Sequence, residues 1–162
     1  MTFVLTSPAF TEGQIMPQAQ VYNGMGQSGG NLSPALSWKG APEGTKSFVV
    51  TVYDPDAPTG SGWWHWVVAN IPSDVTSLPE GAGSGKGGLP PAAAQVRTDF
   101  GVPGYGGAAP PPGKPHRYIF RVDALDIPVI DVSEQTSAAA VGFYVHHHTL
   151  GHATLTALYG GE

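Results

Sequence analysis

The sequence contains no cysteine. No disulfide can brace the fold and no thiolate can serve as nucleophile or metal ligand; the composition suits a reducing compartment, which points to the cytoplasm. Charge is scarce too. Asp, Glu, Lys and Arg make up 12% of the 162 residues, about half the usual share near 25%. The formal net charge is −5 and the seven basic residues form no cluster, so nucleic-acid binding lacks its electrostatic footprint. No apolar run approaches the roughly 20 residues that span a bilayer, which argues against membrane insertion. The opening MTFVLTSPAF has no basic region and reaches Pro8 after a short apolar run; it does not read as a signal peptide.

Glycine and proline are abundant, at 23 and 16 residues. Most lie between apolar runs, a pattern of strands joined by shaped loops rather than of a helical bundle. The apolar share of 41% and the four tryptophans need a packed core, so disorder is not expected. The length favours one domain over 1–162.

Short strand-like runs recur: Phe3 to Leu5, Gln18 to Tyr22 and Leu36 to Trp38. Ser47 to Tyr53 and Trp63 to Ile71 are nearly continuous apolar runs and read as buried central strands. Arg117 to Ala124 alternates, with Tyr118, Phe120, Val122 and Ala124 on one face and His116 sharing it. The expected fold is mainly β, an antiparallel β-sandwich with a few peripheral helices. The strongest helical spacing runs from Ser137 to Tyr159, where Val141, Val145, His148, His152, Leu155 and Tyr159 recur, although Gly142 and Gly151 weaken it. The stretch from Leu78 to Pro115 has no sustained period, and a loop that long is often functional.

Three motif matches lack their context. Gly24, Gly26 and Gly29 reproduce the dinucleotide spacing, but Pro34 interrupts the segment where the receiving helix belongs. Gly26, Ser28 and Gly30 imitate a nucleophile elbow and fail for the same reason. His146, His147, His148 and His152 suggest a metal cluster, with His148 and His152 at helical i,i+4 spacing. No carboxylate accompanies them as in zinc proteases, and pocket-lining or solvated histidines explain them as well. No metal or cofactor is expected.

A different set converges. Asp54 closes the Ser47–Tyr53 run in the turn Asp54-Pro55-Asp56-Ala57-Pro58. Asp56 is expected to bond nearby backbone N–H groups. His65 lies between Trp64 and Trp66, where a hydrogen-bonded core histidine is the ordinary outcome. His116 and Tyr118 begin a third strand after a proline-rich loop. Imidazole N–H and phenol O–H groups at strand ends suit an oxyanion, with glycine-loop N–H groups assisting. Asp54 is suited to orienting an imidazole and favouring its charged form.

In this order, SPALSW at 33–38, DPDAP at 54–58, WWHWVVANIP at 63–72 and GAAPPPGKPHRY at 107–118 resemble the phosphatidylethanolamine-binding protein (Raf kinase inhibitor protein) family, and the bacterial branch most. The resemblance spans Phe3 to Tyr159. It implies a β-sandwich with a small anion pocket for phosphate, carboxylate or phosphoethanolamine groups. The implied pocket residues are Asp54, Pro58, His65, His116 and Tyr118, with Gly107 and Pro110 from the loop. It makes Ala57–Pro58 a candidate cis peptide. It offers Tyr144, His148 or Tyr159 to close the pocket, and it leaves open a homodimer through the C-terminal segment. Kinase and protease regulation belongs to particular eukaryotic relatives and identifies no target for this chain.

The expected function is therefore capture of a small anion or anionic headgroup without catalysis. The alternative is a hydrolase of small esters in which Asp54 and an imidazole activate water; it lacks an activated nucleophile or a metal. A third role, reading a phosphorylated or C-terminal group on a partner protein, uses the same site.

Overall fold

A computed structural model describes residues 2–161. The strands in chain order are β1 (Val4–Thr6), β2 (Leu36–Lys39), β3 (Ser47–Asp54), β4 (Trp63–Pro72), β5 (Ser77–Leu78), β6 (Ala94–Gln95) and β7 (His116–Leu125); helix α1 (Ala138–His148) and β8 (Thr149–Tyr159) follow. They form two sheets, ordered β1-β2-β5 and β6-β4-β3-β7-β8, with every strand pair antiparallel. The mainly β sandwich expected from the sequence is the observed fold.

The near-continuous apolar runs follow from burial on both faces. From β3, Phe48, Val50 and Val52 point into the main core with Leu36, Trp38, Trp66, Val68, Phe120 and Val122. Val49 points the other way and joins Val67, Ala69, Leu125 and Val141 in a second cluster. Val141 belongs to α1, so the helix lies on the outer face of the larger sheet.

Two β-bulges shape β4. Val52 pairs with Trp66 while Tyr53 pairs with Trp64, so His65 is the extra residue. Strict alternation from Val68 and Trp66 would carry Trp64 to the inner face. The bulge inverts the parity: Trp64 packs with the outer cluster, and Trp63 turns inward. The second bulge contains Asn70 in the left-handed region, with φ 61°. Asn70 Oδ1 accepts from Ile130 N at 2.8 Å and its Nδ2 donates to Ile130 O at 3.2 Å, which fixes the strained residue.

Three expectations need correction. The helix does not reach Tyr159. Ser137 caps its start by accepting from Ala140 N, three histidines fill its last turn, and the chain then enters β8. The spacing of Leu155 and Tyr159 also fits period two, and Ala153, Leu155 and Ala157 are the buried, inward residues of that strand. Gln18–Gln20 is a 3-10 turn rather than strand, started by Pro17 at φ −62° and closed by Gln20 N to Pro17 O. No peptide bond among the described residues is cis, so Ala57–Pro58 is trans.

The edge strand β8 is partly covered. Gly13 N donates to Thr156 O, Met16 N to Leu158 O, and Leu158 N to Gln14 O. The N-terminal segment thereby blunts that end of the sheet. Among the described residues, no helix is long and apolar enough to cross a membrane.

Candidate functional site

At one end of the sandwich, β3 stops where β7 starts. Asp54 and His116 meet there, both buried at 2% and 8% exposure. The His116 ring donates from Nδ1 to Asp54 Oδ2 at 2.7 Å. The other oxygen, Oδ1, accepts from Asp56 N at 2.8 Å. Asp54 therefore makes the local turn bond, and Asp56 does not do what the sequence suggested. It reaches 61 residues along the chain to Arg117, accepting from its backbone N, Nε and a terminal nitrogen at 2.9, 3.0 and 2.8 Å. The side-chain bonds to Arg117 hold the Asp56 carboxyl down at about 2. That pair ties the turn to the first residues of β7 and so sets the spacing of Asp54 and His116.

A cavity of about 200 Å³ opens beside this pair. Asp54, Pro58, His65, Pro110, His116 and Tyr118, all singled out in the sequence, line it together. Gly107 does not. Its amide donates to Asn31 Oδ1 at 2.8 Å, and a side chain there would meet Gln20 O at 2.2 Å. It is a close backbone approach behind the wall. The walls also include Met25, Trp63, Phe100 and Pro111, which sequence reasoning missed. Trp63 is delivered by the β4 bulge, which no alternation pattern announces. Met25 sits among the glycines of the rejected dinucleotide match, at φ 52°. An apolar residue between loop glycines was the available signal. Phe100 comes from the long unpatterned stretch, stacked edge-on to both Trp63 and His65.

That stretch is fixed. Tyr105 N donates to Gly83 O, Gly106 N to His65 O, and Asp99 N to Trp64 O. The Tyr105 hydroxyl donates to Gln20 O at 2.7 Å.

His65 donates from Nδ1 to Gly106 O at 2.7 Å. A carbonyl only accepts, so Nδ1 carries the proton. Burial lowers the His65 pKa, against the opposing pull of the Gly106 carbonyl and the Asp54 charge. The ring is then neutral, and its Nε2 is an acceptor. Tyr118, 1% exposed, has its pKa raised by burial and then by Asp54, so the phenol keeps its proton. Asp54 raises it both through its charge and through the closeness of its carboxylate to the phenol hydroxyl. The Tyr118 hydroxyl and the Trp63 Nε1–H are buried with no hydrogen-bond partner among the described residues.

Of the C-terminal candidates, Tyr144 packs in the outer cluster, and His148 bonds Asp126 at 2.9 Å. Tyr159 pairs with His116 across the sheet and lines a neighbouring groove that shares Pro110 and Pro111 with the cavity. His152 lies on β8 after the helix has ended, so the i,i+4 geometry imagined for a His148–His152 metal site does not exist.

Two antiparallel sheets packed as a sandwich, with a cavity at one end, define the fold class, and comparison with known proteins gives the family. The family model for phosphatidylethanolamine-binding protein matches residues 6–160. The chain is similar to the UPF0098 protein YbhB of Escherichia coli K12, 58% identical over 155 residues, covering 96% of this chain and 98% of that protein. It is similar to YbcL of the same strain, 52% identical over 159 residues and covering 97% and 87%. The crystal structure of E. coli YbcL, described as a new member of the mammalian PEBP family, superposes with a TM-score of 0.96 at 51% identity and 99% coverage of both chains. A phosphatidylethanolamine-binding protein homologue from Chlamydia trachomatis matches at TM-score 0.84 and 30% identity, again over 99% of each chain. The chain belongs to the phosphatidylethanolamine-binding protein family.

Proposed function

We propose that the chain is a non-catalytic binding protein that captures a small anion or anionic headgroup in the cavity beside Asp54 and His116. The observation that carries the reading is the convergence of Asp54, His65, His116 and Tyr118, from three separate strands, on one cavity at the end of the sandwich. His116 adds a donor from Nε2 when charged, with Asp54 as its counter-ion. The surrounding prolines and Phe100 keep water out and strengthen these bonds. Absence of cysteine supports a reducing compartment, the cytoplasm. Regulation of a partner protein through a phosphorylated or C-terminal group extends the same reading; a pull-down repeated with competing phosphate separates it from small-ligand capture.

The test is titration of inorganic phosphate and phosphoethanolamine into the wild type and His116→Ala. Binding to the wild type and its loss in the variant are expected. Equal affinities remove the cavity from the account.

The Asp54–His116 dyad also favours a second reading, ester hydrolysis. Against it, the one hydroxyl of the wall that could serve as an alcohol nucleophile, Thr59, donates to Gly62 O at 2.6 Å. Turnover of a phosphate or carboxylate ester panel that disappears in Asp54→Asn or with chelator would establish it.

A further inference from the structure

A second cavity, of about 260 Å³, lies on the outer face of the larger sheet, under α1. The β4 bulge that turns Trp63 into the end cavity turns Trp64 into this one. Trp64 is held there: its ring packs on Tyr53 with centroids 4.3 Å apart, and its backbone N donates to Asp99 Oδ2 at 2.7 Å. Across the cavity, α1 presents Val141, Gly142 and Val145. The floor is polar. Thr51 and Arg121 are cross-strand partners on β3 and β7, and Asp123 follows on the same face. Arg121 donates from Nε to Asp123 Oδ1 at 2.7 Å and from a terminal nitrogen to Oδ2 at 3.0 Å. Asp123 is 2% exposed and is also reached by the Thr149 hydroxyl at 3.2 Å. A buried carboxylate thus fixes the guanidinium, yet the Arg121 side chain stays 37% exposed. A guanidinium has five N–H groups, and those not given to Asp123 have no acceptor among the described residues. Gly142 is the odd residue of the opposite wall. Glycine inside a helix is destabilising relative to alanine, and no neighbour demands it here, since an added Cβ would meet nothing within 4 Å. Its missing side chain keeps the mouth of the cavity wide.

We propose that this outer cavity is a second ligand site, for a small carboxylic acid that carries one ring-sized apolar group. The carboxylate takes the uncommitted N–H groups of Arg121, with the Thr51 hydroxyl beside them. The apolar body lies between Trp64 and the Val141–Val145 face of α1. A carboxylate presents two coplanar oxygens, the shape a guanidinium pairs with best. Asp123 already balances Arg121, so one negative charge suits the site better than two. Size limits the body: a cavity of about 150 Å³ admits benzene, so this one takes a ring and a carboxylate and little more. Asp123 acts as a positioning residue. Because Arg121 and Trp64 are fixed beforehand, binding immobilises no long side chain. The two cavities share no lining residue, so this site stands or falls apart from the anion-binding reading above.

The probe is phenylacetate near pH 7, where carboxylic acids are ionised. Titration into isotope-labelled wild type, followed by amide NMR shifts, reports affinity and place together. Shifts centred on Thr51, Trp64, Arg121 and the Val141–Val145 turn are expected, with a Kd of about 1 mM or tighter. Acetate lacks the ring and phenylacetamide lacks the charge; each should bind at least about tenfold more weakly. Gly142→Leu puts a side chain in the mouth without touching Arg121 or Asp123. Leucine favours a helix over glycine, so the variant should melt no lower than the wild type, while phenylacetate affinity falls at least about tenfold. Arg121→Lys keeps a charge for Asp123 but removes the fork, and a similar loss is expected. Should the lysine variant fail to fold, Gly142→Leu and the wild-type shift map still decide. Shifts confined to His65, His116 and Tyr118 put the acid in the end cavity, which overturns this proposal and supports anion capture. No shifts at about 10 mM, acetate or phenylacetamide binding as tightly as phenylacetate, or a folded Gly142→Leu with wild-type affinity overturns it as well. Those results leave the anion-binding reading to its own phosphate titration.

Discussion

Replacing Asp54 by asparagine tests the centre of the site with almost no change of shape. The carboxylate accepts two bonds, from His116 Nδ1 at 2.7 Å and from Asp56 N at 2.8 Å. An amide presents one oxygen and one NH2. If its oxygen faces Asp56 N, its NH2 points at His116 Nδ1, and the imidazole must turn that nitrogen into an acceptor. If its oxygen faces His116, an N–H meets an N–H at Asp56. In both orientations one charge-assisted bond is lost, and the His116 ring loses the carboxylate that holds it in place. Hydrogen bonds to charged groups contribute about 1.5–3 kcal/mol. Affinity for phosphate should therefore fall about tenfold to a hundredfold. Calorimetric titration of the variant at pH 6 measures it, with circular dichroism to verify the fold. The variant should stay folded, because the new side chain fills the same volume. A folded Asp54→Asn protein that binds phosphate within twofold of the wild type would refute the idea that this carboxylate sets up His116.

The remaining predictions concern the shell around the cavity. Burial keeps His65 neutral in the folded chain, whereas an unfolded chain protonates it at its ordinary 6.5. Protons then favour the unfolded state, so stability should fall as pH drops below about 6.5; melting curves from pH 8 to 5 should be flatter for His65→Asn, and parallel curves would contradict the assignment. Gly107→Ala places a methyl 2.2 Å from Gln20 O and should cost about 1–3 kcal/mol; chemical denaturation reads the stability loss and phosphate titration the accompanying loss of affinity. Asn70→Ala should destabilise by about 2–3 kcal/mol through two lost bonds and the left-handed φ. Asn70→Gly keeps that φ without strain and should lose less; urea denaturation of the two variants compares them, and equal losses would show that the bulge is not strained.

Much of the fold was legible because period-two patterning and two-sided burial leave clear marks. Ser47 to Tyr53 could hardly be anything but a central strand, and the face shared by His116, Tyr118 and Phe120 followed from alternation alone. The C-terminal half was misjudged because Leu155 and Tyr159 satisfy both a helical period and a strand period. Tertiary pairing with β7 decided between them. At the site, Asp54, His65, His116 and Tyr118 could be named since titratable side chains are few in this chain. Their division of labour could not. That Asp56 anchors Arg117, that a bulge turns Trp63 inward, and that His65 gives its proton to Gly106 are facts of long-range geometry. Met25 and Phe100 lie in loops whose path no local rule predicts.

The wall from Phe100 to Pro111 hangs from Gly83, His65, Gln20 and Asn31 by bonds formed as the chain folds. The hollow is thus finished before any visitor arrives. Little chain has to be ordered at capture, so the conformational entropy that hinged lids surrender on each encounter is already gone. On the proposed binding role, a ligand would exchange at rates governed by diffusion and the stripping of water. Substitutions far out on those loops, touching nothing that enters, can still reset its affinity by tilting the wall.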